Sequence, residues 1–142
     1  MTSTLTPFAQ APAAGRVRPA GRVVRAGLVA GLTAAAANFA VAATAHQLDV
    51  TFEVKGDAIP LIAFPQVTLM AAVIGIGLAA VFARWARRPR RSFVATTAIL
   101  ATLSMVPPAI VDAATATKLV LGLTHVIAAV IIIPAMASRL KG

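Results

Sequence analysis

The sequence predicts an all-α membrane protein: four transmembrane helices in an up-down bundle, with a short extended segment in the first outer loop. Three observations predict it. The 142 residues are 59% hydrophobic and only 12% charged, whereas a soluble domain carries about 25% charge. Four runs contain no Asp, Glu, Lys or Arg, over residues 26–45, 58–83, 92–111 and 119–138. Each is about as long as the 20 or so apolar residues that a helix needs to cross the hydrocarbon core. The charges outside these runs are sorted by sign. The N-terminal segment, the turn Arg84–Arg91 and the C-terminal Arg139 and Lys141 carry eleven basic residues and no acid. The other two connections hold Asp49, Glu53, Lys55, Asp57, Asp112 and Lys118, a net charge of −2.

This sorting sets the orientation. Basic residues flanking apolar spans stay on the cytoplasmic side, so both termini and the turn are expected in the cytoplasm of a bacterium and the acidic loops outside its inner (plasma) membrane. The formal charge of +9 would otherwise suggest nucleic acid. The basic residues sit beside apolar runs with Trp85 as their only large aromatic companion, so topology accounts for the charge and no nucleic-acid partner is expected.

Residues 1–21 are rich in Ala, Pro, Thr and Arg and lack an apolar period, a composition expected to stay disordered. The transmembrane domain is then 22–142, with helices at about 24–45, 59–84, 92–111 and 118–138. In hydrocarbon each backbone amide needs a partner within its own segment, so the runs are helical despite their many Val and Ile. The first run also resembles a signal peptide ending at Ala43-Thr44-Ala45. It is longer than a signal h-region and the preceding segment is long, so a retained helix is the expectation.

Between the first two helices, Leu48, Val50, Phe52 and Val54 alternate with Asp49, Thr51, Glu53 and Lys55, the period of a half-buried strand. Gly56-Asp57 supplies a turn. The expected form is an extended lid on the helix ends; the other form is a strand offered to a second protein. Gly27 and Gly31 make a GxxxG pair in helix one. Ala71, Gly75 and Ala79 make a small-xxx-small stripe in helix two. Such stripes let helix backbones approach closely in lipid. Pro65, Pro107, Pro108 and Pro134 each remove an amide donor and so are expected to bend or end helices.

Chemistry is sought first among intramembrane polar residues. Asn38, Gln66, Ser104 and His125 lie one per helix, each about 10–12 Å below the outer boundary at 1.5 Å per residue. They form a candidate polar pocket with Asp112 at its rim, where it could steer cations or pair with the imidazole, and His125 is its proton-exchanging member. The plainer reading is interhelical hydrogen bonding, at about 1 kcal/mol or less per bond. Arg84, Arg87, Arg88, Arg90 and Arg91 set topology and are also candidates for contact with anionic lipid. With no cysteine, two His and four acids, metal sites are poorly supplied and no cofactor is expected. Gly75-Ile76-Gly77-Leu78-Ala79-Ala80 matches a dinucleotide fingerprint by letter but sits mid-membrane without the required strand. Ser104 has no triad spacing. No enzyme is expected.

Ala58-Ile59-Pro60-Leu61 opening helix two, Pro89-Arg90-Arg91-Ser92-Phe93 opening helix three, Leu103-Ser104-Met105-Val106-Pro107, and Leu123-Thr124-His125 with Ile133-Pro134 in helix four carry a resemblance. Over about residues 22–140 the chain resembles an actinobacterial domain-of-unknown-function family of short four-helix integral membrane proteins. The Ala- and Arg-rich usage fits a high-GC bacterium. The resemblance implies the architecture and no activity. The family pattern has an acid after Pro107; here Pro108 stands there. The functional expectation is an inner-membrane structural, accessory or interaction component whose partners are the bilayer and a second copy or larger membrane protein. The alternative is a small transporter or proton-linked permease built around His125.

Overall fold

The computed structural model describes residues 19–141. Helix α1 is Pro19–Gln47, strands β1 and β2 are Glu53–Val54 and Asp57–Ala58, and helices α2 to α5 are Ala63–Trp85, Pro89–Leu103, Val106–Ile110 and Thr115–Ala137. Four helical spans, with α3 and α4 counted as one, are long and apolar enough to cross a membrane. The expected disordered segment lies outside the described residues up to position 18. Residues 19–21 belong to the first turn of α1, where Pro19 is tolerated because that amide has no intrahelical acceptor.

Helix α1 is the spine. Val23, Ala30, Ala34, Ala35, Ala42 and Ala45 are buried along one stripe, and α1 packs lengthwise on both α2 and α5. The GxxxG pair explains how closely. A Cβ on Gly31 would stand 2.6 Å from the Ala72 Cβ, and one on Gly27 would stand 2.7 Å from the Met136 Cε and press into Ile76. The motif is therefore used inside the chain, with α2 and α5 as its partners. In α2 the buried stripe is Phe64, Thr68, Ala72, Gly75 and Ala79. Ala71, one residue off that stripe, is exposed.

Helix α3 packs on α2 and α5 from the side away from α1. Its one buried side chain is Phe93. The third span is not continuous, because Pro107 and Pro108 cannot donate to the carbonyls of Leu103 and Ser104. The chain closes instead with Ser104 N–H to Leu100 O at 2.9 Å and Met105 N–H to Thr102 O at 3.1 Å, and α4 begins at Val106. Pro65 falls in the first turn of α2, where its missing donor matters little. Pro134 lies within α5, which nevertheless runs on to Ala137.

The loop between α1 and α2 folds back on itself. Strand β1 pairs antiparallel with β2, Glu53 opposite Ala58 and Val54 opposite Asp57. The two-residue turn is Lys55-Gly56, with φ of 54° and 85°, the left-handed pair of a hairpin turn. The strand's partner is thus its own continuation, and the turn sits one residue earlier than Gly56-Asp57. Phe52 plugs the hairpin onto the bundle: it is buried, with its ring 5.0 Å from that of Phe64 in an edge-on arrangement. Thr117 Oγ1 donates to Thr51 O at 2.6 Å, and Lys55 N–H to Asp112 O at 3.0 Å. These bonds tie the α1–α2 loop to the start of α5 and the connection before it. At the other end, Arg90 N–H donates to Lys141 O at 3.2 Å and joins the basic turn to the C-terminal segment.

Candidate functional site

Two apolar clusters fill the bundle. The larger runs from Val23 and Leu140 through Ala34, Ala72 and Ile132; the smaller gathers Ala42, Ala45, Phe52 and Phe64 beneath the hairpin. Asn38 lies between them along α1 and is 1% exposed. Its Nδ2 donates to Thr68 Oγ1 of α2 at 2.8 Å and to the Thr124 carbonyl of α5 at 3.0 Å. One amide thereby links three helices. The carbonyl accepts only, so the atom facing it must be the nitrogen, and the orientation of the amide follows. Asn38 Oδ1 is buried and receives no hydrogen bond.

Beside Asn38 a cavity of about 630 Å³ opens between α2, α3 and α5. Asn38, Ser104 and His125 all line it, together with Thr68, Thr97 and Thr124. Their hydrogen bonds share one pattern. Thr68 donates to Phe64 O at 2.8 Å, Thr97 to Phe93 O at 2.7 Å, Ser104 to Ala101 O at 2.7 Å and Thr124 to Leu121 O at 2.8 Å. His125 Nδ1 lies 2.7 Å from Leu121 O, a contact that requires a proton on Nδ1, since a carbonyl only accepts. The rest of the wall is apolar, from Ala63 and Val67 at the hairpin end to Leu78 and Phe93 at the other.

Two of the residues expected in the pocket stand elsewhere. Gln66 is exposed and does not line the cavity. It shares the depth of Thr68, but two residues turn a helix by about 200°, so the two side chains leave α2 on opposite sides. Asp112 is exposed, and it is its backbone carbonyl that bonds to the α1–α2 loop, at Lys55 N–H; its carboxylate is not paired with His125. Thr68, Thr97 and Thr124 were missed as pocket residues. For Thr68 a signal existed, since it continues the buried spacing of Ala72, Gly75 and Ala79.

Arg84, Arg87, Arg88, Arg90 and Arg91 are all exposed at the opposite end of the bundle, near Trp85, which is 74% exposed. Arg84 lies in the last turn of α2, where a cation suits the helix dipole. Arg90 and Arg91 lie in the first turn of α3, where the dipole disfavours cations. Helix stability therefore does not account for them. Among the described residues no group of three or more His, Asp or Glu is placed to hold a metal ion.

A family model described as "Family of unknown function (DUF6069)" matches residues 18–142. No curated protein and no solved structure matches the chain.

Proposed function

The chain belongs to the DUF6069 family of unknown function, and from that membership and the bundle above we propose that it is a bacterial plasma-membrane protein crossing four times, with both termini and the Arg84–Arg91 turn in the cytoplasm. The observation that carries this reading is the separation of charge along the bundle axis. The five arginines of the turn share one end with Arg139 and Lys141; all four acids share the other. The resemblance to short four-helix membrane proteins of actinobacteria supports it, as does the ring of exposed Leu, Ile and Val around every span.

The protein works by binding, as an accessory or interaction component, without catalysis. Ser104 and His125 each spend their proton on a backbone carbonyl of their own helix, which speaks against a nucleophile and its base. The basic turn contacts anionic headgroups at about 1 kcal/mol per residue. A second reading, a small-solute or proton-linked permease, draws on the cavity that joins Asn38, Ser104 and His125. Four helices leave little room for alternating access unless copies assemble. Loss of flux in His125→Ala proteoliposomes would favour it.

Because the chain has no cysteine, topology is open to single-cysteine labelling in intact cells. Arg88→Cys and Ser138→Cys should resist an impermeant maleimide until the membrane is opened, and Asp57→Cys should react at once. Labelling of Arg88→Cys in intact cells would overturn the orientation.

A further inference from the structure

We propose that the cavity between α2, α3 and α5 is a binding site for one neutral amphiphile whose polar end is a hydroxyl group. The site goes beyond the topology proposed above; it rests on the spans lying in lipid and not on which way they face. Three observations converge. The first is size and shape. At about 630 Å³ the cavity falls within the 300–1,000 Å³ common for small-molecule sites. Its wall runs from Ala63 to Leu78 along α2, about 22 Å at 1.5 Å per residue. That suits a long, narrow apolar body.

The second observation is a complete account of protons. Each hydroxyl in the wall donates to a carbonyl of its own helix, at 2.7–2.8 Å. His125 donates through Nδ1, and Asn38 has placed its amide on Thr68 and Thr124. The hydroxyls lining the cavity therefore have lone pairs to offer and no proton to spare, and the Asn38 amide has no N–H left over. A ligand bearing only carbonyl, ether or ester groups would meet lone pair against lone pair. A ligand with an O–H supplies what the wall lacks.

The third observation is Asn38 Oδ1. It belongs to a side chain 1% exposed and no group donates to it. An unpaired polar atom in a membrane interior is strongly disfavoured, and because Asn38 lines the cavity, a small shift of its covered amide would bring that oxygen within reach of a ligand hydroxyl. The charge of the ligand follows from the same wall. Among the described residues no Asp, Glu, Lys or Arg lines the cavity, and Asp112 is exposed outside it. An ammonium would enter without a counter-ion, a costly desolvation, and a carboxylate would face acceptors. The head is neutral. It sits at the level of Asn38, Thr68 and Thr124, and the body extends along α3 toward Phe93.

The test uses the full chain in lipid nanodiscs, with nitrogen NMR reading the His125 ring and the Asn38 amide. The probes share one isoprenoid body and differ in their heads: farnesol, farnesyl methyl ether and farnesylamine. Farnesol should shift the His125 Nε2 resonance saturably, at a concentration at least tenfold below any effect of the ether or the amine. Equal effects of alcohol and ether, or a shift proportional to partitioning with no saturation, would overturn the proposal, as would tighter binding of the amine. Ala101→Phe, which fills the wall beside Ser104, should abolish the farnesol shift, and a shift that persists places the ligand elsewhere and overturns it too. If Ala101→Phe fails to fold by circular dichroism, the smaller Ala129→Leu serves the same role with the same two outcomes.

Discussion

Replacing Gly31 by alanine tests the spine of the bundle. The new Cβ would stand 2.6 Å from the Ala72 Cβ, against a normal carbon–carbon contact of about 3.5–4.0 Å. Both atoms are fixed to helix backbones, so no rotamer change relieves the overlap, and α1 and α2 must part by roughly 1 Å. Overpacking of this kind typically destabilises by about 1–3 kcal/mol; about 2 kcal/mol is expected here, net of the helix propensity that alanine adds. At Gly27 the obstructing atoms include the end of the flexible Met136 side chain, and Gly27→Ala should be milder, about 1 kcal/mol. Gly77 has open space where a Cβ would go, so Gly77→Ala is the control without a clash, expected to gain up to about 1 kcal/mol from helix propensity alone. The assay is reversible unfolding in mixed micelles followed by circular dichroism. Adding Ala72→Gly to Gly31→Ala should recover about 1–2 kcal/mol as a coupling energy in a double-mutant cycle. If Gly31→Ala behaves like Gly77→Ala, or if it changes oligomeric state and leaves unfolding untouched, the motif serves a contact between chains and the close α1–α2 packing is wrong.

Other consequences are more local. Asn38→Leu removes two interhelical hydrogen bonds and should lower stability by about 1–2 kcal/mol, since such bonds average near 0.6 and reach about 1.7 kcal/mol in membranes; the same micelle assay reads it. Phe52→Ala strips the buried anchor of the hairpin, and about 3 kcal/mol of local stability should go with it, seen as rapid protease cleavage near Lys55. Gly56→Ala places a Cβ at φ +85° and should weaken the same hairpin by about 1 kcal/mol. In hydrogen exchange, α3, whose one buried side chain is Phe93, should lose protection before α1.

Much of this architecture is legible in the sequence because helices long and apolar enough to cross a membrane leave long charge-free runs, and the charges between them are sorted by sign. The charge-free runs mark the spans, and the acids mark the opposite end from the arginines. The interior is less legible, and Gln66 is the instructive residue. Counting inward from a helix end gives depth and nothing about azimuth, so Gln66 and Thr68 look equivalent until their 200° separation is considered. Azimuth was recoverable in part: Thr68, Ala72, Gly75 and Ala79 form the buried stripe of α2, whereas the letter pattern pointed to Ala71, Gly75 and Ala79. The hairpin was hidden for another reason. Alternation announced a strand, but Lys55 takes φ of 54°, which few non-glycine residues adopt, and that choice moved the turn forward by one residue. The break at Ser104 was half legible, since the paired prolines pointed to an end of the helix and not to its restart as α4. The cavity itself could not be read, because it depends on how far α3 stands from α1, and no local pattern encodes that distance.

The central claim is that polar groups inside the bundle turn their acceptors toward the cavity, and the tautomer of His125 tests it most directly. Nitrogen NMR of the ring in nanodiscs, without added ligand, distinguishes the two nitrogens. The 2.7 Å contact with Leu121 O predicts a protonated Nδ1. A bare Nδ1 with the proton on Nε2, or a mixture of both tautomers averaging freely, would contradict it and would return His125 to the role of an ordinary donor in the wall.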